Sequence, residues 1–340
     1  MNEINSAESA SQTMKHVEYG PDGSLTSLRL ATSAPPAPKA GEVLIEVHYA
    51  GVNGPDLVQR KGLYPPPPDA SPILGLEVAG HIAALGEGVS QWQIGDQVCA
   101  LVPGGGYAEL CTVPAGHVLP VPQGMSLADA AGLPEVWFTV WANLVDMGHV
   151  QAGDHVLIHG GAGGVGCAAI QLACHFGAHV FATETSDAKL EVCRAMGAAT
   201  VINAKTQDFY EAIRGEVGKC GLDIVLDSIG GAALHKGLHL LRRGGRLLII
   251  AFNHGAKVEI DMMPVLTRRL TIAGSTLRAR SNEEKIGIRD NLLHQVWPAF
   301  AAGKLKTHTH AVLPLEQVAD AHSMMEAAAH VGKIILQVRK

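Results

Sequence analysis

The sequence is sparing with charge: Asp, Glu, Lys and Arg make up 17% of its 340 residues, against 47% hydrophobic residues, and the net charge is −6 with His neutral. That composition excludes a disordered chain and supports a packed globular one. Basic patches are also missing, the longest clusters being pairs such as Arg242 with Arg243 and Arg268 with Arg269. Nothing there tracks a phosphate backbone, so nucleic acid is not expected as the main partner. The six cysteines (Cys99, Cys111, Cys167, Cys174, Cys193 and Cys220) form no C-x-x-C pair and sit in apolar contexts, which argues against a disulfide framework and a zinc cluster alike. No apolar run approaches the roughly 18 residues of a membrane span. The start, MNEINSAESASQT, lacks the charged-then-apolar order of a signal peptide. A soluble, cytoplasmic protein with no membrane partner is expected.

The length exceeds one core of common size and predicts two domains. Residues 1–13 read as a flexible extension, with the first strand near Met14 to Glu18. From Gly41 to Gly132, short strand-like runs (VLIEVHYA, AGHIAAL, DQVCALV, YAELCTV) alternate with Gly and Pro clusters, the pattern of a mixed, mainly antiparallel sheet. The YPPPPDASP run at 64–72 reads as an extended surface loop. After Val150 the rhythm becomes strand, helix, strand, helix, which means parallel strands with crossover helices. In the first of these helices Val165, Ala168, Ala169, Leu172, Ala173 and Phe176 fall at helical spacing, with Gly177 placed to end it. Runs at LDIVLD, GRLLIIAF and LTIAGS complete about six strands, the count of a doubly wound dinucleotide-binding sheet. The closing helical segment EQVADAHSMMEAAAH and strand KIILQV are too little for a domain and are expected to fold back on the first unit. The fold class is therefore α/β, with a β-rich domain over 14–137 and 281–340 and a Rossmann domain over 138–280.

Gly161, Gly163 and Gly166 fit G-x-G-x-x-G between a strand and a helix, with Gly164 and Val165 at the two intervening positions. In that setting the glycines allow a tight turn, close backbone approach to a pyrophosphate and tight helix packing, while the helix N-terminus offers amide donors to the anion. Glu184 ends the next strand-like run, where an acidic side chain accepts hydrogen bonds from ribose hydroxyls and favours NAD. The hydroxyls of Thr185 and Ser186, with Lys189, suit a 2′-phosphate instead, and Lys189 reads equally well as a solvated helix residue. The local signal is divided between NADH and NADPH.

The stretches NGPDLVQRKGLYPPPPDASPILGLEVAGHI, IGDQVCALVPGGGYAELCTVP, LPEVWFTVW and VLIHGGAGGVGCAAIQLA together resemble the medium-chain dehydrogenase/reductase superfamily, and within it the zeta-crystallin-like NADPH:quinone oxidoreductases. The resemblance runs from about Met14 to the end and implies a β-rich GroES-like catalytic domain beside the Rossmann domain, NADPH as cofactor and a homodimer. Zinc-dependent members carry a Cys where this chain has VNGPD and a Gly-His-Glu where it has Gly75, Leu76 and Glu77; the Cys, the His and the four-cysteine lobe are all missing. No metal is expected. Without a Lewis acid, alkoxide stabilisation is lost, whereas hydride transfer to a quinone or an α,β-unsaturated carbonyl needs none.

By resemblance, Tyr64 is the active-site tyrosine near the nicotinamide and donates to the substrate oxygen; by itself it reads as a packing aromatic. Asn53 and Asp56 match pocket-lining positions, with local turn capping as the alternative. Thr139 matches a hydroxyl near the nicotinamide. Ser228, Ala251, Phe252 and Asn253, in loops after successive strands, are expected at the nicotinamide half, and Arg278 at a pyrophosphate or substrate. Gly332 and Lys333 match a step that approaches the cofactor, or else form a hairpin glycine with a solvated lysine. Glu184 departs from NADPH-using relatives, which carry a small residue there. The reading is an NADPH-dependent quinone reductase; the alternatives are a 2-enoyl thioester reductase and a low-turnover NADPH-binding structural or regulatory protein.

Overall fold

The structure, a computed structural model, describes residues 13–339. Most of the expected extension 1–13 thus lies outside the described residues. Strand Met14–Glu18 pairs antiparallel with Arg29–Ser33.

Six parallel strands form one sheet in the spatial order Thr200–Asn203, His179–Glu184, His155–His159, Leu222–Asp227, Leu241–Ile249, Thr271–Gly274. This is the doubly wound order 3-2-1-4-5-6, whose switch point falls between His155–His159 and Leu222–Asp227. Helices cover both faces, so the central strands are buried on both sides: every residue of Leu222–Asp227 is buried, Asp223 and Asp227 included. The edge strand Thr271–Gly274 has no such cover on its outer side and stays largely exposed.

The second sheet is mainly antiparallel. Its order is Thr309–Pro314, Lys333–Gln337, Glu42–Val52, Glu77–Leu85, Gln97–Leu101, Val118–Pro120, with Leu110–Pro114 also pairing with Glu42–Val52. The late strand Lys333–Gln337 joins it antiparallel to Glu42–Val52, with Ile334 opposite Val52. That register brings Lys333 to the mouth of helix Gly54–Arg60. The two units meet along helix Pro134–Val140, where Trp137, Phe138 and Trp141 are almost wholly buried in a core shared by both sheets. A π-helical turn, Trp141–Met147, continues that helix; the apolar periodicity of the segment gives no hint of it.

Candidate active site

The glycine turn lies at the carboxyl end of strand His155–His159. Its left-handed residue is Gly160 (φ +70°), one position ahead of the motif. Gly161 serves packing instead, since a Cβ there would come within 2.8 Å of Cys193 Sγ. At Gly166 a Cβ would lie 2.1 Å from the Gly160 carbonyl oxygen, so only glycine lets helix Gly164–His175 cross this close to the turn. Gly163 is different: a Cβ would meet nothing nearer than 3.6 Å. Protein packing does not demand a glycine there, and the bare backbone leaves room above the helix N-terminus. The first amide with a helical carbonyl is that of Cys167, bonded to Gly163. Those of Gly164, Val165 and Gly166 sit in the first turn, where a helix has no acceptors of its own. Gly332 bonds the Ala162 carbonyl at 2.7 Å and Lys333 packs over Gly164, so the space left is the one above Gly163; with the donors of the first turn it fits a dinucleotide pyrophosphate.

Glu184 is turned into the turn. Its carboxylate accepts from the Ala162 amide at 2.9 Å and the Thr185 amide at 3.2 Å, and the residue is only 6% exposed. Lys189 stands 3.8 Å from it and donates to the Ala328 carbonyl at 2.8 Å. Thr185 and Ser186 are exposed beside them. Each oxygen of the Glu184 carboxylate thus accepts one backbone amide of the turn region.

Packed over Gly164, Lys333 is buried, so the solvated reading of this lysine does not hold. Its ammonium donates to Glu77 Oε1 at 2.6 Å, Asn53 Oδ1 at 2.7 Å and the Val52 carbonyl at 3.0 Å. All three N–H donors are occupied. Asn53 closes the cluster by donating from Nδ2 to Glu77 Oε1 at 2.9 Å, and the second Glu77 oxygen accepts the Glu135 amide at 2.9 Å. Asn53, expected to line the pocket, and Lys333, expected at the cofactor, therefore spend their side-chain polar groups mainly on one another and on Glu77.

Asp56 is fully enclosed, which corrects its expected place as a pocket-lining catalytic group. It caps helix Gly54–Arg60 through the Asn53 amide (2.8 Å) and accepts from the Gly75 amide (3.1 Å) and the Tyr107 hydroxyl (3.0 Å). Burial lifts its pKa to about 6, although these three donors pull the other way. The network continues inward. Arg60 Nη1 lies 3.1 Å from His322 Nδ1, and His322 Nε2 lies 3.3 Å from the Tyr107 oxygen. A guanidinium can only donate, so Nδ1 accepts and Nε2–H donates to Tyr107, which in turn donates to Asp56. Burial and the Arg60 charge press His322 down to about 3, which keeps it in that neutral form.

Tyr64 and Arg278 span the cleft from opposite units. The Arg278 Cζ lies 5.5 Å from the Tyr64 ring centroid. Arg278 is anchored by Nε (2.9 Å) and Nη2 (2.6 Å) to the Pro103 carbonyl and by Nη1 (2.8 Å) to Gln59 Oε1. Burial, reinforced by Glu135, raises the Tyr64 phenol above its ordinary value, so it stays a donor at neutral pH. Ser228 donates to the His159 carbonyl at 3.1 Å, and the Asn253 amide bonds the Ser228 carbonyl, bringing 228 and 251–253 together at the carboxyl ends of adjacent strands. Phe252 is 46% exposed there. Thr139 is half-buried in helix Pro134–Val140, its carbonyl accepting from Asn143 Nδ2.

Sequence reasoning missed Glu77, Glu135, His117 and Lys285. Glu135 is the most perturbed acid of the cleft: burial, then the Glu77 and Asp56 charges, push it to about 8 against the pull of Lys333 and Arg278. A lone Glu in LPEVWFTVW offers no spacing signal for this, because its neighbours come from other segments.

The comparisons agree with this geometry. A zinc-binding dehydrogenase model matches residues 164–289 and an alcohol dehydrogenase GroES-like domain model matches residues 39–123. A mycocerosic acid synthase-like polyketide synthase of Mycobacterium tuberculosis is 34% identical over 93% of this chain, which spans only 15% of that protein. The human synaptic vesicle membrane protein VAT-1 homolog is 31% identical over 91% of this chain and 82% of its own length. Among solved structures, Escherichia coli quinone oxidoreductase complexed with NADPH superposes with a TM-score of 0.84 at 26% identity over 95% of this chain and all of its own. The CurK enoyl reductase does so with 0.83 at 30% identity over 96% of this chain and 99% of its own. The chain belongs to the medium-chain dehydrogenase/reductase superfamily, with its GroES-like and Rossmann units.

Proposed function

We propose that the protein reduces a quinone or related conjugated carbonyl with NADPH and without a metal. The observation that carries this reading is the Lys333–Glu77–Asn53 cluster. At the positions where zinc-dependent relatives present Cys and His, this chain presents Asn53 and Leu76, and the remaining carboxylate is neutralised by an ammonium 2.6 Å away. A divalent cation placed there would face that ammonium.

NADPH, when bound, supplies a hydride. The amides of Gly164, Val165 and Gly166 hold its pyrophosphate, the loops at Ser228 and Ala251–Asn253 border the nicotinamide half, and Thr139 stands on the helix facing them. Thr185, Ser186 and Lys189 receive the 2′-phosphate, a role open to Lys189 because Glu184 is engaged with Ala162 and Thr185. Tyr64 donates a hydrogen bond to the acceptor oxygen as negative charge builds on it, and Arg278 holds the ring of Tyr64 in place. Oxidation of NADPH and NADH measured side by side with menadione tests the cofactor choice: NADPH is expected to win, and a strong NADH preference would sink it.

A second reading, reduction of a 2-enoyl thioester, is supported by the likeness to CurK enoyl reductase and to the mycobacterial synthase. Turnover of enoyl thioesters with none of a quinone panel would favour it. We further infer a homodimer through edge strand Thr271–Gly274, where Ile272 is 38% exposed; a monomer in light scattering contradicts this. A reducing compartment such as the cytoplasm suits six cysteines that are all unbridged. Among the described residues no helix is long and apolar enough to cross a membrane.

A further inference from the structure

One recess of the cleft is furnished unlike the rest. Leu76 and Leu277 give it apolar walls, while Arg278, Lys285, His117 and Glu135 line the remainder of a small space with room of about 10 Å³ for the centre of a water-sized occupant. Arg278, Lys285 and His117 are 8%, 7% and 3% exposed, so two cations and an imidazole are almost removed from water.

Their hydrogen bonds leave capacity unused. Arg278 spends one donor each from Nε, Nη1 and Nη2 on Pro103 and Gln59, and Lys285 spends one on the Arg278 carbonyl at 3.0 Å. An arginine has five N–H groups and a lysine three, so both keep free donors. His117 Nε2 is buried with no partner at all. Glu135 is the carboxyl group in the lining, and its pKa of about 8 leaves it protonated at neutral pH. Burial lowers Lys285 and Arg278, as it does for cations short of counter-charge, and brings His117 to about 4, hence neutral. Buried positive charge with spare donors and no ionised partner in the lining is costly unless something anionic completes it.

We propose that this recess receives a carboxylate of the acceptor, so that the preferred substrates are conjugated carbonyl compounds bearing an acid group. This rests on the hydride-transfer reading above and narrows its substrate class. The N–H groups that Arg278 keeps on Nη1 and Nη2 can each donate to a carboxylate oxygen, Lys285 adds a point charge, and the Glu135 hydroxyl adds a neutral donor. The contact of Arg278 with Tyr64 sets the acid end of such a molecule beside the phenol that meets its ketone oxygen.

A matched pair of probes tests this: 4-oxopent-2-enoate and its methyl ester. In the acid, hydride adds at C2 and a solvent proton at C3 as the carbon–carbon π bond breaks; the products are 4-oxopentanoate and NADP+. With the full chain at neutral pH, kcat/KM for the acid is expected to exceed that for the ester by about tenfold or more. An equal or higher value for the ester overturns the inference. In Lys285→Gln the ratio is expected to fall toward one while NADPH affinity, read by fluorescence titration, is kept; an undiminished ratio overturns it too. Calorimetry of 4-oxopentanoate on the NADP+-loaded protein provides a readout free of turnover. Binding of the acid but not of its methyl ester supports the recess even if neither enone is reduced, an outcome that would sink only the hydride-transfer reading. No binding of the acid overturns the recess.

Discussion

On the dinucleotide side of the cleft, the geometry is written in one unbroken stretch, Gly160–Gly166, braced by Glu184 from the next strand. On the acceptor side, each polar group depends on a residue far away in the chain: Lys333 on Glu77 and Asn53, Asp56 on Tyr107 and His322, Arg278 on Gln59 and Pro103. The first side is held by backbone sterics and tolerates no side chain at one position. The second is held by buried charge and is vulnerable wherever one partner is lost. Local sterics make a cradle common to many dinucleotide enzymes, and long-range polar pairing makes the half that distinguishes one of them from another.

The largest effect is expected on the charge-held side. Lys333→Met leaves the Glu77 carboxylate buried without its cation and is expected to cost about 3–5 kcal/mol of stability in denaturant unfolding. Pairing it with Glu77→Gln should recover a good part of that loss; no recovery would mean the ion pair is not what holds these strands. On the steric side, Gly166→Val forces a Cβ against the Gly160 carbonyl and is expected to weaken NADPH binding on the order of 100-fold, a change of about 2.7 kcal/mol. Fluorescence titration reads this directly, and an unchanged affinity would remove the glycine turn from the cofactor site.

Tyr107→Phe separates cap from relay. It strips Asp56 of one donor and leaves His322 Nε2–H without its acceptor, an expected loss of about 1–3 kcal/mol. The sign with pH follows from Asp56, whose folded-state pKa lies above its unfolded value: its proton favours the fold at low pH, and that support fades as pH rises through about 6. The deficit of the variant is therefore expected to be larger at pH 7 than at pH 5; equal deficits would mean Asp56 is not involved. The smallest effect is at Glu135. The wild-type kcat/KM profile is expected to fall above about pH 8 as Glu135 loses its proton, and Glu135→Gln should flatten that limb while changing the neutral-pH rate little. A limb that survives the substitution belongs to another group.

The comparison also explains what was legible in the sequence. The strand–turn–helix context of Gly161, Gly163 and Gly166 is local, and local spacing reveals it, although the left-handed turn residue proved to be Gly160. Parallel and antiparallel strand rhythms separate the two sheets for the same reason. Asp56 was readable as a local turn cap from NGPD alone, and that reading describes its contacts better than the pocket-lining place which the resemblance implied. Glu77, Glu135, His117 and Lys285 were not legible, because their environment is created by burial and by charges from strands and helices distant in sequence. No periodicity encodes that a lone glutamate in LPEVW will share a cleft with Arg278 and Lys285. Glu184 lies between the two cases: its position suggested a ribose contact, and only the fold shows its carboxylate bonded to Ala162 and Thr185.

The central claim, metal-free reduction by NADPH, is tested most directly by menadione-dependent NADPH oxidation before and after exhaustive treatment with a strong chelator, with metal content measured on the same samples. Undiminished turnover by metal-depleted protein is expected. Activity that vanishes on chelation and returns with zinc would contradict the account.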